Sequence, residues 1–271
     1  MSREFQIIQL EMAADAFKKL PNRERHQLVG CMHAHNELAT LNRLLLFSLN
    51  DVGDGELHND AQGVQMWSIL QMLVGKLFES WNMIAERFLK ANPVDPVIAR
   101  LSAPHQKSLA WLRDYFGDGK PKDTPLRTIR DKTAFHYDRL NLDEAADNLS
   151  APECRVYLAE HPANGLYYVG SALVFRTVFS MIADQAMDTA GMSSGEQMAA
   201  GVRITHQHVN QANLHLHNVL YGVIAFLMEQ AFGKPLVSVE QLRIPVIGAP
   251  KPEQVGLPMF LDVGQTDGGK A

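Results

Sequence analysis

Across residues 60–90 apolar side chains return every three or four positions: Trp67, Leu70, Val74, Leu77, Trp81, Ile84 and Phe88. This is the period of one helix face, and a stripe that long must be buried against other helices. The same period predicts a helix over 5–20, stopped by Pro21-Asn22, and a long one over 23–49. It predicts another over 95–116, broken or kinked near Pro104, and one over 126–140, with Thr124 as N-cap and Pro125 in the first turn. Two more cover 172–190 and 194–232, the last ended by Gly233 and Pro235. Residues 142–149 read as a short helical turn. Arg155-Val156-Tyr157-Leu158 and Leu166-Tyr167-Tyr168-Val169 are β-branched or aromatic runs around His161-Pro162-Ala163-Asn164-Gly165, which reads as a small hairpin.

The expected fold is therefore all-α: a helical bundle of about six to seven helices in one domain over 1–232, with a β-hairpin insertion near 155–169. Residues 233–271 hold five of the thirteen prolines. They are expected as an extended tail over the surface or a partner, with the last eight residues mobile. No repeat of solenoid length is present.

Composition narrows the classes of function. Lys and Arg number 25 against 30 Asp and Glu, a net charge of −5, so a generic nucleic-acid coat protein is excluded and any contact with nucleic acid must be local. Two cysteines, Cys31 and Cys154, make no disulfide framework, and the opening Met-Ser-Arg-Glu-Phe-Gln lacks the apolar run of a signal peptide. The expected location is cytoplasmic. The longest apolar stretch, 219–228, is too short to span a bilayer, so no membrane partner is expected.

One stretch reverses the acidic balance. Over 120–139 there are six cations (Lys120, Lys122, Arg127, Arg130, Lys132, Arg139) against three acids (Asp123, Asp131, Asp138). It reads either as a solvated helix face or as a small phosphate-binding patch. Within it Arg130, Asp131, His136 and Tyr137 follow one another closely. Arginine holds phosphate with a rigid fork of donors, and histidine titrates near neutrality and can move protons. On an ideal helix the six residues from Arg130 to His136 give a rise of ~9 Å and a turn of about 120°, so the pair does not share a ridge. Both reach one cleft if arginine's length is used, especially a cleft between two subunits.

Other chemistries find less support. Of eleven histidines, His206, His208, His215 and His217 share one expected helix. His208 to His215 spans ~10.5 Å of rise and His206 to His217 ~16.5 Å, too far for one ion. His206 and His217, with Asn210 and Asn213, read as a polar stripe for helix–helix or subunit hydrogen bonding. His33 and Glu37 are spaced to pair. Cys31, beside Met32, reads as an inert buried thiol. No nucleophile elbow, Gly-rich phosphate loop or dinucleotide fingerprint occurs, and no metal or cofactor is expected.

Arg130-Asp131, four further residues and then His136, in a helical chain, resembles the signature of the HEPN superfamily: an arginine, a polar residue, and a histidine a few positions on. Phe135-His136-Tyr137-Asp138 after such an arginine is similar to uncharacterised bacterial members. The resemblance implies a compact helical bundle that dimerises, and a metal-independent endoribonuclease of the kind found in toxin–antitoxin, abortive-infection and antiviral defence systems. By resemblance Arg130 and His136 are catalytic and Asp131 orients a catalytic side chain. Arg127, Lys132, Arg139 and Tyr137 then contact RNA. The implied partners are RNA, a second copy of the chain, and an antitoxin or defence protein. The subgroup silenced by nucleotidylation carries a tyrosine two places after the histidine. Here that place is Asp138, so that regulation is not implied.

Two other functions stay open. The bundle can be a non-catalytic dimeric interaction module whose Arg130, Asp131 and His136 form a structural network. It can also bind a small molecule between its long helices, with no ligand specified by the residues.

Overall fold

Helix period becomes architecture most plainly in the long segments. The structure, a computed structural model, describes residues 5–50, 53–90, 95–117, 122–134, 140, 142–147, 149 and 151–262. Among them nine α-helices occur: α1 (Ala14–Lys19), α2 (Asn22–Ser48), α3 (Glu56–Ile84), α4 (Pro96–Ala99), α5 (Ala103–Phe116), α6 (Pro125–Ile129), α7 (Asp143–Asp147), α8 (Tyr168–Ala186) and α9 (Ser194–Phe232). The stripe on α3 is buried as expected: Trp67, Leu70, Val74, Leu77, Trp81 and Ile84 are each under a tenth exposed, and Phe88, just beyond, is fully buried. The fold is mostly α. None of these helices is long and apolar enough to cross a membrane.

Helix ends follow local chemistry. α3 gives way to a π-helical turn, Ala85–Leu89. Asp95 then caps α4 by accepting the Val97 N–H at 2.9 Å, with Pro96 in the first turn. The expected break near Pro104 is the gap between α4 and α5, and Pro104 sits in the first turn of α5, where its missing N–H costs nothing. Gly117 closes α5 at φ 86°, a conformation that only glycine takes without strain.

Three expectations are corrected. Residues 5–9 are not helix: Phe5–Gln9 form strand β1, antiparallel to β2 (Leu242–Val246), with Phe5 opposite Val246 and Gln9 opposite Leu242. Phe-Gln-Ile-Ile-Gln suits a strand once a partner is supplied, and that partner lies in the tail, far beyond the reach of local periodicity. Pro245 is tolerated because a two-stranded sheet has only edge strands. The two strands expected near 155–169 form one antiparallel bridge, Tyr157 with Leu166, around a 3₁₀ turn at Pro162–Asn164. The helix expected over 126–140 keeps α-form only to Ile129. A π-helical turn, Arg130–Ala134, follows, and Leu140 is not helical.

The tail is extended between short turns, and side-chain amides hold part of it. Asn50 Nδ2 donates to the carbonyls of Pro252 and Val255, Gln65 Nε2 to Pro258, and Asn164 exchanges two bonds with Leu261 at 2.8 and 2.9 Å. The expectation for the last eight residues lies outside the described residues.

The chain divides into two compact units: 1–42 with 73–127 and 206–251, and 43–72 with 128–205 and 252–271. In the first, Phe116 packs edge-on against Phe78 (4.9 Å between centroids) and stacks on Trp81 (5.8 Å). In the second, Trp67 meets Phe179 edge-on at 5.2 Å, and Gly201 of α9 lies directly against the Phe179 backbone.

Candidate functional site

The segment carrying the arginine–histidine motif is built from its cap. Thr124 Oγ1 accepts the Arg127 N–H at 3.3 Å and Pro125 opens α6, both as the residue types predict. Leu126 and Ile129 are fully buried and anchor α6. At Arg130 the backbone widens to the π form. Such turns insert an extra residue, re-aim the side chains that follow, and recur at functional positions. Thr133, 1 % exposed, donates its hydroxyl to the Ile129 carbonyl at 2.8 Å, four residues back.

Arg130 and Asp131 are each about one-third exposed, and Arg130 Nη1 lies 3.7 Å from Asp131 Oδ1. This puts a guanidinium and a carboxylate side by side within reach of solvent. Arg127 and Lys132 are half-buried. His136, Tyr137, Asp138 and Arg139 lie outside the described residues, as does Lys120. The structure thus brings together Arg130 and Asp131 of the expected set.

The histidines of α9 hydrogen-bond to neighbouring groups, His208 and His215 as well as the His206 and His217 of the expected stripe. His208 Nδ1 is 2.8 Å from the Tyr115 hydroxyl, and His215 Nδ1 is 3.1 Å from Ser108 Oγ. His217 Nδ1 meets His35 Nδ1 at 3.0 Å, and Asn42 Nδ2 donates to Asn213 at 2.7 Å. His206 lies 3.1 Å from Asn210 within the helix. Burial lowers the pKa of His208 and of His215, the latter helped by Lys107. Burial and the neighbouring His35 push His217 down to about 4. Neutral imidazoles both donate and accept, which these close pairs require. Among the described residues no three His, Cys, Asp or Glu side chains are grouped to hold a metal ion. His33 pairs with Glu37 at 3.5 Å, as the spacing predicts. Cys31 is fully buried, and burial pushes its thiol up to about 12, so it is inert at neutral pH.

Sequence reasoning did not find a second polar centre. Asp60, 4 % exposed, takes Arg155 through Nε at 2.6 Å and Nη2 at 2.7 Å, and accepts the Tyr157 hydroxyl at 2.9 Å. The Arg155 guanidinium also lies over the Tyr168 ring at 5.5 Å. The residues join across ninety-odd positions of chain, and no local pattern marks such a pair. Both carboxylate oxygens of Asp60 are taken up by Arg155 and Tyr157, which makes the cluster a fastening rather than a reactive site.

No family model, curated protein or solved structure matches the chain.

Proposed function

We propose that this chain is a metal-independent endoribonuclease of HEPN type that works as a homodimer. The observation that carries the reading is the Arg130–Asp131 pair, solvent-reachable on a π-helical turn, with four residues between Asp131 and His136. RNA suits this small kit because its own 2′-hydroxyl is the nucleophile. His136 removes the 2′-hydroxyl proton or protonates the departing 5′-oxygen, a role typically worth ~10²–10⁴-fold. Arg130 binds the scissile phosphate and offsets the charge growing on its oxygens. Asp131 holds the guanidinium in place. Arg127, Lys132 and Arg139 bind flanking phosphates, and Tyr137 contacts the RNA. The 2′-oxygen–phosphorus bond forms as the 5′-oxygen–phosphorus bond breaks, leaving a 2′,3′-cyclic phosphate and a 5′-hydroxyl. Defence or toxin–antitoxin use, with a partner protein restraining the enzyme, completes the reading.

The test compares wild type, Arg130→Ala and His136→Ala for cleavage of RNA in EDTA, with the product termini identified. Cleavage by wild type alone, yielding cyclic phosphate, supports the mechanism. Activity lost to the chelator, or kept by both variants, removes it.

A second reading rests on the same pair. Arg130 and Asp131 are two-thirds covered and in contact, which also suits a structural network in a non-catalytic interaction module. Under that reading Arg130→Ala and Asp131→Ala lower thermal stability or weaken self-association, and wild type cleaves no RNA.

A further inference from the structure

Strands β1 and β2 form a two-stranded ribbon within the first unit. Directly opposed residues of a ladder point to the same side, so the register puts Phe5, Ile7 and Gln9 on one face with Val246, Ile244 and Leu242. Phe5, Ile7, Leu242 and Ile244 are 39–59 % exposed. On the other face Gln6, Ile8, Arg243 and Pro245 are exposed as well. Both faces of the ribbon therefore stand largely in solvent. Two strands alone are marginal in water, and three or more with an apolar face are needed for stability.

The two edges are not alike. Bonded and non-bonded pairs alternate along an antiparallel ladder. Pro245 has no N–H, so its pair with Gln6 falls among the non-bonded ones, and the bonded pairs are Phe5–Val246, Ile7–Ile244 and Gln9–Leu242. The N–H and C=O groups of Gln6 and Ile8 therefore point outward from β1. Among the described residues no further strand takes them up. The outer edge of β2 presents Arg243 and Pro245, a charge and a missing donor, and both are devices that block strand addition. β1, Phe-Gln-Ile-Ile-Gln, carries neither. One edge is open and the other is shut.

We propose that β1 is a self-association edge, pairing antiparallel with β1 of a second copy about a two-fold axis at Ile7. In that register Gln6 of each copy faces Ile8 of the other, and each such bonded pair exchanges two N–H···O bonds, about four in all. Ile7 stands opposite its own copy. The two apolar faces lie on the same side and join, and no charges are opposed because β1 has none. The strand order becomes β2–β1–β1–β2. Both outer edges are then the shut edge of β2, so association closes at two copies and does not run on into a fibre. A second copy fits better than an unrelated strand, because at one register the open edge matches itself in bond positions, in apolar face and in charge. The surface uses none of the residues of the nuclease reading and does not rest on it.

The test is sedimentation velocity of the full chain over a range of concentrations, where wild type is expected to show a reversible dimer. Ile8→Pro removes an outward N–H from each copy and leaves the bonds to β2 in place, so it should weaken the dimer at least ~10-fold. Arg243→Pro, the same change on the outer edge of β2, should leave the dimer as it is. Circular dichroism checks that the variants fold. A second measurement uses the two-fold axis, in a Cys154→Ser background that removes the exposed native thiol. Ile7→Cys sets two thiols opposite each other at a non-bonded pair, with Cα atoms ~4.5 Å apart and within disulfide range. Mild oxidation should yield a covalent dimer, whereas Leu242→Cys, on the same face but the outer strand, should not cross-link. A wild type that stays monomeric at every concentration overturns the proposal. So does a dimer that Ile8→Pro does not weaken, one that Arg243→Pro weakens equally, or cross-linking through Leu242→Cys as readily as through Ile7→Cys. A dimer undone by Arg130→Ala and not by Ile8→Pro would assign association to the helical motif instead. RNA cleavage enters none of these readouts, so failure here and failure of the nuclease reading are distinguishable.

Discussion

Gly201→Ala should destabilise this protein although alanine is the better helix former. A Cβ built at Gly201 falls 2.0 Å from the Phe179 carbonyl oxygen, 2.6 Å from its carbon and 2.8 Å from its Cα. Ordinary contact begins near 3.4 Å, so α8 and α9 must part there by more than an ångström. The obstacle is backbone, and no rotamer change relieves it. Overpacking of this kind costs about 3 kcal/mol, at the upper end of the usual range. Helix propensity returns up to about 1 kcal/mol, which leaves a net loss of about 2 kcal/mol and a fall in Tm of about 4–8 °C for a chain this size. Gly63 on α3 is the matched control: nothing lies within 4 Å of its Cβ position. Gly63→Ala should therefore gain about 0.5–1 kcal/mol. Thermal melts and urea midpoints of the two variants, followed by far-ultraviolet circular dichroism, should move in opposite directions. The fluorescence of Trp67, whose ring rests on Phe179, should change with Gly201→Ala. If Gly201→Ala melts at or above wild type, the helices do not approach so closely and the reasoning fails.

Asp60→Asn leaves the forked Arg155 without its carboxylate and should lower the melting temperature more than Tyr157→Phe, which removes one hydrogen bond. Adding Arg155→Gln to Asp60→Asn should cost little more, and simple additivity of the two would speak against the pairing. His217 is held to about 4 in the folded state and titrates near 6.5 when unfolded. The unfolded chain therefore binds the proton first, and stability present above pH 6.5 is lost as pH falls from 6.5 through 4. Allowing for solvent at this half-buried ring, the loss between pH 7.5 and 5 is about 1 kcal/mol. His217→Gln should flatten that part of the urea-midpoint profile, and an unchanged profile would exclude the linkage. A thiol reagent added to native protein should label exposed Cys154 quickly and leave buried Cys31 unmodified until the chain unfolds. Equal labelling rates would contradict that burial.

Much of this molecule was legible residue by residue. The helices over 22–48, 56–84 and 194–232 follow from apolar period and from Pro and Gly stops within one stretch of chain, because a helix closes its hydrogen bonds on itself. The cap at Thr124 and the His33–Glu37 pair are equally local. Strand β1 was not legible, since Phe5–Gln9 takes its ladder from Leu242–Val246, and a strand's partner is a fact of the whole chain. The π turn at Arg130–Ala134 likewise escaped a reading that assumes uniform helix. Asp60 finds Arg155, and Gln27 finds Asp95, only when distant segments pack. Residue types and their periods determined the helices and the chemical kit. Tertiary packing decided which of those groups face one another, because burial and charge pairing depend on neighbours in space rather than along the chain.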